Sequence, residues 1–308
     1  MEIKNVKRKG MRDVGELIFY ICLIALPLLQ VAVFYVYVNF NSFLMSFQRY
    51  DMLAGKFTWD FGGNFRRLWQ ELAQSSLLKD AFFNSLYIWI ITAIFGRLLA
   101  ILFSYYIYKK YIFDKIFKFF LFLPSVLPGI LLVLVFKFFT DEAIPGYLED
   151  VFGRQNVTPL FNNPKAFMPT LYFFNVWASF GAQILIYTGS MDQIAPEIIE
   201  AGEVDGVKPY QELFLIVIPM ILPTVATFMV ASVATLFTNQ ASLYSFFGET
   251  VEAERYTIGY YLFILVNKVG VGKSNYTYAS ALGIVCTLIA LPMTLGVRRL
   301  LEGKKEER

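Results

Sequence analysis

Two stretches of this sequence carry residue types and spacings that could do chemistry. Near the C-terminus, Asn267–Asn275 reads NKVGVGKSN, and Gly272, Lys273 and Ser274 complete the second half of a P-loop. In that motif backbone N–H groups and a lysine cradle nucleotide phosphates. Asn267 stands where its first glycine belongs. In the middle of the chain, Glu197, Glu200, Glu203, Asp205 and Glu212 gather around Gly206 with only Lys208 of opposite sign among them. Other chemistries are excluded by composition. The chain has no histidine, which removes imidazole acid–base catalysis, His-based metal sites and Ser-His triads. Cys22 and Cys286 each sit alone in an apolar block and read as small packing residues, because a metal site needs several ligands.

The elements that must position these stretches are set by hydrophobicity. Of 308 residues, 57% are hydrophobic and only 17% charged, against about 25% charged in soluble domains. The apolar residues fall in blocks of about 20, the length that crosses ~30 Å of hydrocarbon. The blocks are Leu17–Phe40, Phe82–Tyr108, Phe119–Phe139, Met168–Gly189, Leu213–Thr238 and Tyr278–Leu295. None shows long strict alternation, so each reads as a helix, which satisfies its own backbone in lipid. The expected fold is an all-α polytopic membrane protein of six transmembrane helices in one domain, residues 1–308. The first block follows a basic segment but is too long for a signal peptide and lacks an Ala-x-Ala site, so it reads as a retained anchor.

Lysine and arginine orient the spans, since cytoplasmic loops are enriched in them. Lys4, Lys7, Arg8, Lys9 and Arg12 precede the first span, Lys109, Lys110, Lys115 and Lys118 crowd the link between the second and third, and Arg298, Arg299, Lys304, Lys305 and Arg308 follow the sixth. Both termini are therefore expected in the cytoplasm. Asn267–Asn275 then lies outside, where there is no nucleotide pool, and its glycines read as a turn. The loop 190–212 is cytoplasmic and yet acidic. Pro196 can open a short helix in which Ile198, Ile199, Ala201 and Val204 supply apolar contacts, Gly206 can end it in a left-handed turn, and Pro209 can open a second helix into the fifth span. A helix resting on an anionic leaflet would be basic. An acidic one with apolar and small residues fits a groove on a protein partner.

Glu200-Ala201-Gly202, three residues, Gly206, nine residues, then Ile216-x-Ile218-Pro219 resembles the EAA loop of ABC importer permeases. Gly202 replaces the second alanine of that pattern and Ile218 its leucine. Phe61-Gly62-Gly63-Asn64-Phe65, Trp177 and Gly181, Phe237 and Asn239, Thr257-Ile258-Gly259-Tyr260-Tyr261 and Tyr278-Ala279-Ser280-Ala281 are similar to stretches of the maltose-type sugar importers, and favour their first permease. The resemblance implies a type I importer permease-like fold with a cytoplasmic coupling helix between spans 4 and 5. It implies transport of a carbohydrate, an oligosaccharide by preference, rather than catalysis. The implied partners are a second homologous permease, two ATPase subunits, an extracytoplasmic sugar-binding protein, the carbohydrate and membrane lipid, with no nucleic acid. ATP and Mg would belong to the ATPase, with no cofactor in this chain, and the place is a bacterial cell membrane.

Carried over residue by residue, the coupling set is Glu197, Glu200, Ala201, Gly202, Asp205, Gly206 and Pro219. Along the substrate pathway, amides and hydroxyls suit sugar hydroxyls and aromatic faces suit sugar rings. These are Asn175, Trp177, Gln183 and Tyr187 in span 4, and Asn239, Gln240 and Tyr244 after span 5. The same residues could instead bond helix to helix or sit at the membrane interface. Arg97, within span 2, is expected to bond carbonyls, snorkel or face the pore, and Lys137 to snorkel. Pro124 and Pro128 with Gly129 predict a kink in span 3. The alternative is a stand-alone secondary transporter or channel for a small polar solute, which would call for membrane acids or an inverted repeat.

Overall fold

The computed structural model describes residues 14–267 and 273–302. Most of the glycine turn of Asn267–Asn275, the basic N-terminal residues, and Lys304, Lys305 and Arg308 lie outside them. Contacts divide the chain into two compact units, residues 1–68 with 272–284 and residues 69–271 with 285–308.

In the first unit, α1 (Val14–Gln30) and α2 (Val38–Ser46) join through a π-helical stretch, Val31–Tyr37. Helix thus runs from Gly15 to Ser46, past the expected end at Phe40. A short hairpin follows that the sequence reading did not expect. Its strands β1 (Gln48–Asp51) and β2 (Lys56–Trp59) are antiparallel, with Gln48 opposite Trp59 and Asp51 opposite Lys56. The Asp51 carboxylate accepts from the Leu53 and Ala54 N–H groups at 2.9 and 3.1 Å and sets the turn. Asn64 of the Phe61–Phe65 stretch donates to the carbonyls of Ser46 and Gln48 at 2.9 and 2.8 Å. It therefore fastens the start of α3 (Gly63–Gln74) to the end of α2.

The second unit holds α4 (Ser76–Ile91) and α5 (Arg97–Tyr108), joined by a π stretch, then α6 (Asp114–Val126), α7 (Gly129–Phe138) and α8 (Ile144–Phe152). It continues with α9 (Pro164–Met191), α10 (Pro196–Val204), α11 (Pro209–Gln211), a π stretch Glu212–Val217, α12 (Ile218–Ala234), α13 (Leu243–Phe247) and α14 (Ile258–Asn267). The last helix, α15 (Ser274–Glu302), begins in the first unit and ends in the second. The π stretch before α12 has a cause in the sequence. Pro219 lacks an N–H and its ring crowds the carbonyl four residues back, which loosens the preceding turn.

Among the described residues four helices are long and apolar enough to cross a membrane: Gly15–Ser46, Ser76–Tyr108, Pro209–Ala234 and Ser274–Leu301. Asp114–Val126 and Gly129–Phe152 count as a fifth if taken as one span, but they meet at 107°. The expected kink is thus a break. Pro128 has no N–H for the turn behind it and biases Leu127 to the extended conformation it adopts, ψ 141°. The fourth expected block falls on α9, 28 residues long, or ~42 Å at 1.5 Å per residue. Gly181 lets α6 lie close on α9, because a Cβ there would meet the Leu121 carbonyl oxygen at 2.9 Å.

Two apolar clusters fill the second unit. One gathers Ile107, Ile184, Tyr187, Ile199, Leu213 and Val217 where α5, α9, α10 and α12 converge. The other gathers Leu132, Phe161, Phe167, Phe174, Phe246 and Tyr260 toward the start of α9.

Candidate functional site

Helix α10 begins at Pro196, where a missing N–H costs nothing. It ends as Gly206 requires. Gly206 has φ +74°, its N–H donates to Glu203 at 3.0 Å and the Val207 N–H donates to Gly202 at 3.0 Å. That pair of bonds is a Schellman motif, which satisfies the last carbonyls of the helix. Gly202 is buried, and a Cβ on it would meet Ile216 Cδ1 at 3.0 Å. The glycine that departs from the EAA pattern therefore sits against the end of the Ile216 side chain.

Only one side of α10 is anchored. Ile199 is buried in the cluster with Ile107, Ile194 and Leu213. Glu197, Glu200, Ala201 and Asp205 are exposed, as are Ile198, Tyr210 and Val204, the last at 87%. Exposed apolar side chains among carboxylates make a surface suited to a protein groove. Pro219 is exposed at the start of α12.

Glu212 departs from this pattern. Grouped in sequence with the exposed acids, it is 4% exposed and pairs with Lys109 at 3.1 Å. Lys109 also reaches Glu203 at 3.2 Å. Sequence reading treated Lys109 as a topology signal and left Lys208 as the lone counter-charge of the loop. Burial pulls the Lys109 ammonium toward the neutral form, but its bonds to Glu212 and Glu203 outweigh that and hold its pKa above the usual lysine value. The contacts bring Lys109, at the head of the lysine-rich link 109–118, against the loop 190–212.

Toward the other end of α9, the Thr257–Tyr261 motif holds the turn after α12. The Thr257 hydroxyl donates to the Asn239 carbonyl at 3.1 Å and accepts from the Tyr260 N–H at 3.1 Å. The Tyr260 hydroxyl donates to the Gly248 carbonyl at 2.8 Å. A Cβ on Gly259 would meet the Asn239 carbonyl oxygen at 2.5 Å, so the motif is shaped by close backbone approach. The Asn239 side chain accepts from the Ala241 N–H at 2.8 Å, and Asn175 donates to the carbonyls of Leu171 and Ala241 at 2.8 and 3.3 Å. Asn239 also borders a cleft of about 60 Å³ with Ser85, Trp89, Thr92, Ser232 and Thr257. Of these, Asn239 and Thr257 were singled out from sequence. Trp89, whose indole N–H donates to Ser232 at 3.2 Å, lay unmarked in an apolar block.

The structure brings Asn175 and Asn239 to one turn but not the whole expected pathway. Trp177 packs on Phe136 and Phe174. Tyr244 is exposed with its ring on Phe263, and Gln240 is half-buried. Tyr187 lies far along α9, fully buried and edge-on to Phe228. Arg97 donates to the Phe228 carbonyl at 2.8 Å, one of the arrangements expected for it. Lys137 does not snorkel freely: its ammonium donates to the Phe246 carbonyl at 3.2 Å. Among the described residues Arg97 Nε, Gln183 Oε1 and the Tyr187 hydroxyl are buried without a hydrogen-bond partner. No group of three or more Cys, Asp or Glu side chains among them is placed to hold a metal.

The profile of the binding-protein-dependent transport system inner membrane component family matches residues 92–302, more than half of the chain. The chain belongs to that family. This inner membrane component is homologous to permeases of sugar ABC transporters. It is 24% identical over 199 residues to the galactooligosaccharides transport system permease GanP of Bacillus subtilis, covering 63% of this chain and 48% of that one. It is 26% identical over 193 residues to the maltose/maltodextrin permease MalF of Klebsiella aerogenes, covering 59% and 35%. The arabinooligosaccharides permease AraP of B. subtilis is 23% identical over 270 residues, covering 87% and 83%. The chain thus spans about half or less of the first two relatives. The fold is that of a type I ABC permease: a chain of a bacterial alginate ABC transporter, solved with its pentasaccharide-bound periplasmic protein, superposes with a TM-score of 0.75 at 21% identity, over 92% of this chain and 96% of that one.

Proposed function

We propose that this chain is one transmembrane subunit of an ATP-driven, binding-protein-dependent importer of a carbohydrate, an oligosaccharide by preference. It forms half of the pore in a bacterial cell membrane with a second, homologous permease. It crosses six times with both termini in the cytoplasm, α9 and the broken pair α6–α7 supplying two of the crossings. An extracytoplasmic sugar-binding protein delivers the substrate. Two ATPase subunits hold ATP and Mg, and this chain hydrolyses nothing itself. The oligosaccharide named for each of GanP, MalF and AraP supports the substrate class.

The observation that carries the reading is α10. It has one face in the apolar cluster and one face free, and its C-terminus is fixed by Gly206. In this reading α10 is the coupling helix, seated in a cleft of the ATPase. Glu197, Glu200 and Asp205 meet basic groups there, the exposed Ala201 allows close approach, Gly202 seats the helix against Ile216 of its own chain, and Pro219 starts the helix that moves with it. Of the expected pathway residues, Asn239 at the polar cleft and Asn175, bonded to the same turn, are the best-formed part of the sugar's route.

Mild-detergent purification of the tagged chain from its own host tests this, with and without Glu200→Lys. The expected result is a second permease and an ATPase with the wild type, and loss of the ATPase with the variant. A chain that purifies alone, indifferent to the charge reversal, overturns the reading.

A further inference from the structure

We infer that Lys109 is a positioning residue that ties α10 to the ends of both α5 and α12, so that a displacement of α10 is carried into the two helices together. The inference rests on the reading of α10 as the ATPase-docking helix.

Lys109 caps the C-terminus of α5. Its ammonium bridges Glu203 in the last turn of α10 and Glu212 at the start of the stretch leading into α12, at 3.2 and 3.1 Å. One cation therefore grips the intervening loop from both sides. One turn earlier, the Tyr105 hydroxyl donates to the Pro209 carbonyl in the middle of that loop at 3.1 Å. Spacing of four places Tyr105 and Lys109 on one helix face. Beneath them Ile107, Ile194, Ile199 and Leu213 form continuous apolar packing.

The two ionic arms differ in kind. The Glu212 side chain is 5% exposed, and a carboxylate there cannot leave Lys109 without stranding charge in apolar surroundings. The Glu203 side chain is 60% exposed, so that pair is weak and can part and re-form. The buried arm fixes α5 to the root of α12, and the exposed arm follows α10. Glu200, by contrast, has no ion pair among the described residues, so the charge offered to a partner is separate from the clasp.

Hydrogen–deuterium exchange on the tagged chain with its co-purified partners, with and without MgATP and vanadate, tests the inference. In the wild type, nucleotide is expected to change exchange over residues 196–212 and residues 231–248 together. In Lys109→Met the ATPase still co-purifies, and residues 196–212 still respond but exchange about tenfold faster without nucleotide. The response over residues 231–248 is lost. Lys109→Arg restores it, and so does the exchanged pair Lys109→Glu with Glu212→Lys, results that loss of stability alone would not give. An intact response over residues 231–248 in Lys109→Met overturns the inference and leaves docking standing. Absence of an ATPase from the wild-type preparation removes the docking reading and the inference with it. If Lys109→Met does not fold, Glu203→Gln touches only the exposed arm: a response over residues 231–248 reduced about twofold supports the clasp, and an unchanged one overturns it.

Discussion

At the α10 end, Val204 and Tyr210 stand in the open, the acids Glu197 and Glu200 are exposed, and the helix is held on one face by Ile199. At the α13 end, Tyr260 and Leu243 are fully buried, and the Asn239 carbonyl takes a hydroxyl bond while a glycine presses against it. Both ends depend on glycine, for different reasons. Gly206 is needed for its positive φ with open space around it, whereas Gly259 is needed because there is no space at all. One end is an exposed surface, and the other is a turn already closed by its own chain. The two should therefore fail in different assays.

The largest separation is expected from Gly206→Val. A β-branched residue at φ +74° resists the left-handed turn by at least ~1–2 kcal/mol, at a place with no neighbours to clash. ATPase co-purification should fall several-fold while the chain still inserts and purifies, and normal coupling in this variant would sink the contrast. Gly259→Ala should do the reverse. Its Cβ meets backbone atoms of Thr238 and Asn239, which cannot step aside, and overpacking of this kind costs ~1–3 kcal/mol. Thermal unfolding in detergent should shift down with the ATPase still bound. Thr257→Val removes the hydroxyl from two bonds in a buried position, and should lower stability by about 1 kcal/mol per bond. Gly202→Ala should do least. Its Cβ meets the far end of the Ile216 side chain, which can swing away, so changes within ~0.5 kcal/mol are expected in both assays.

Acidity offers a further discrimination. The Lys109 pKa is raised from its usual 10.5. Its share of the clasp is complete below that value and lost only as pH rises through the higher folded value. Between pH ~6 and ~9 the exchange of residues 196–212, corrected for intrinsic rates, should not move on its account.

Helical hydrophobic blocks were legible in sequence because lipid leaves the backbone few options, and the end of the second span at Tyr108 agrees with the structure. Ends governed by polar residues were not: Ser76 opens a helix expected to begin at Phe82, because its preceding Ser75 caps the Leu77 N–H at 3.2 Å. Pro128 told of an interruption but not its size, since a missing N–H fixes where a helix yields and not the angle its neighbours impose. The Gly206 turn was legible from one residue type. The Lys109–Glu212 pair was not, because residues so far apart in sequence carry no mutual signal and lysines beside a span look like orientation markers. Thr257–Tyr261 was visible only as a likeness, and its reason, contact with the Asn239 backbone, exists only in three dimensions.

The helix Gly15–Ser46 has none of its most apolar stretch buried. Its 32 residues make a rod of ~48 Å, to be fitted to a hydrocarbon layer of ~30 Å. It must lean or let its ends emerge, and bilayer thickness bears on which. In longer-chain lipids the rod stands up and in shorter ones it tips, so acyl-chain length becomes a control knob on this segment that no point mutation supplies.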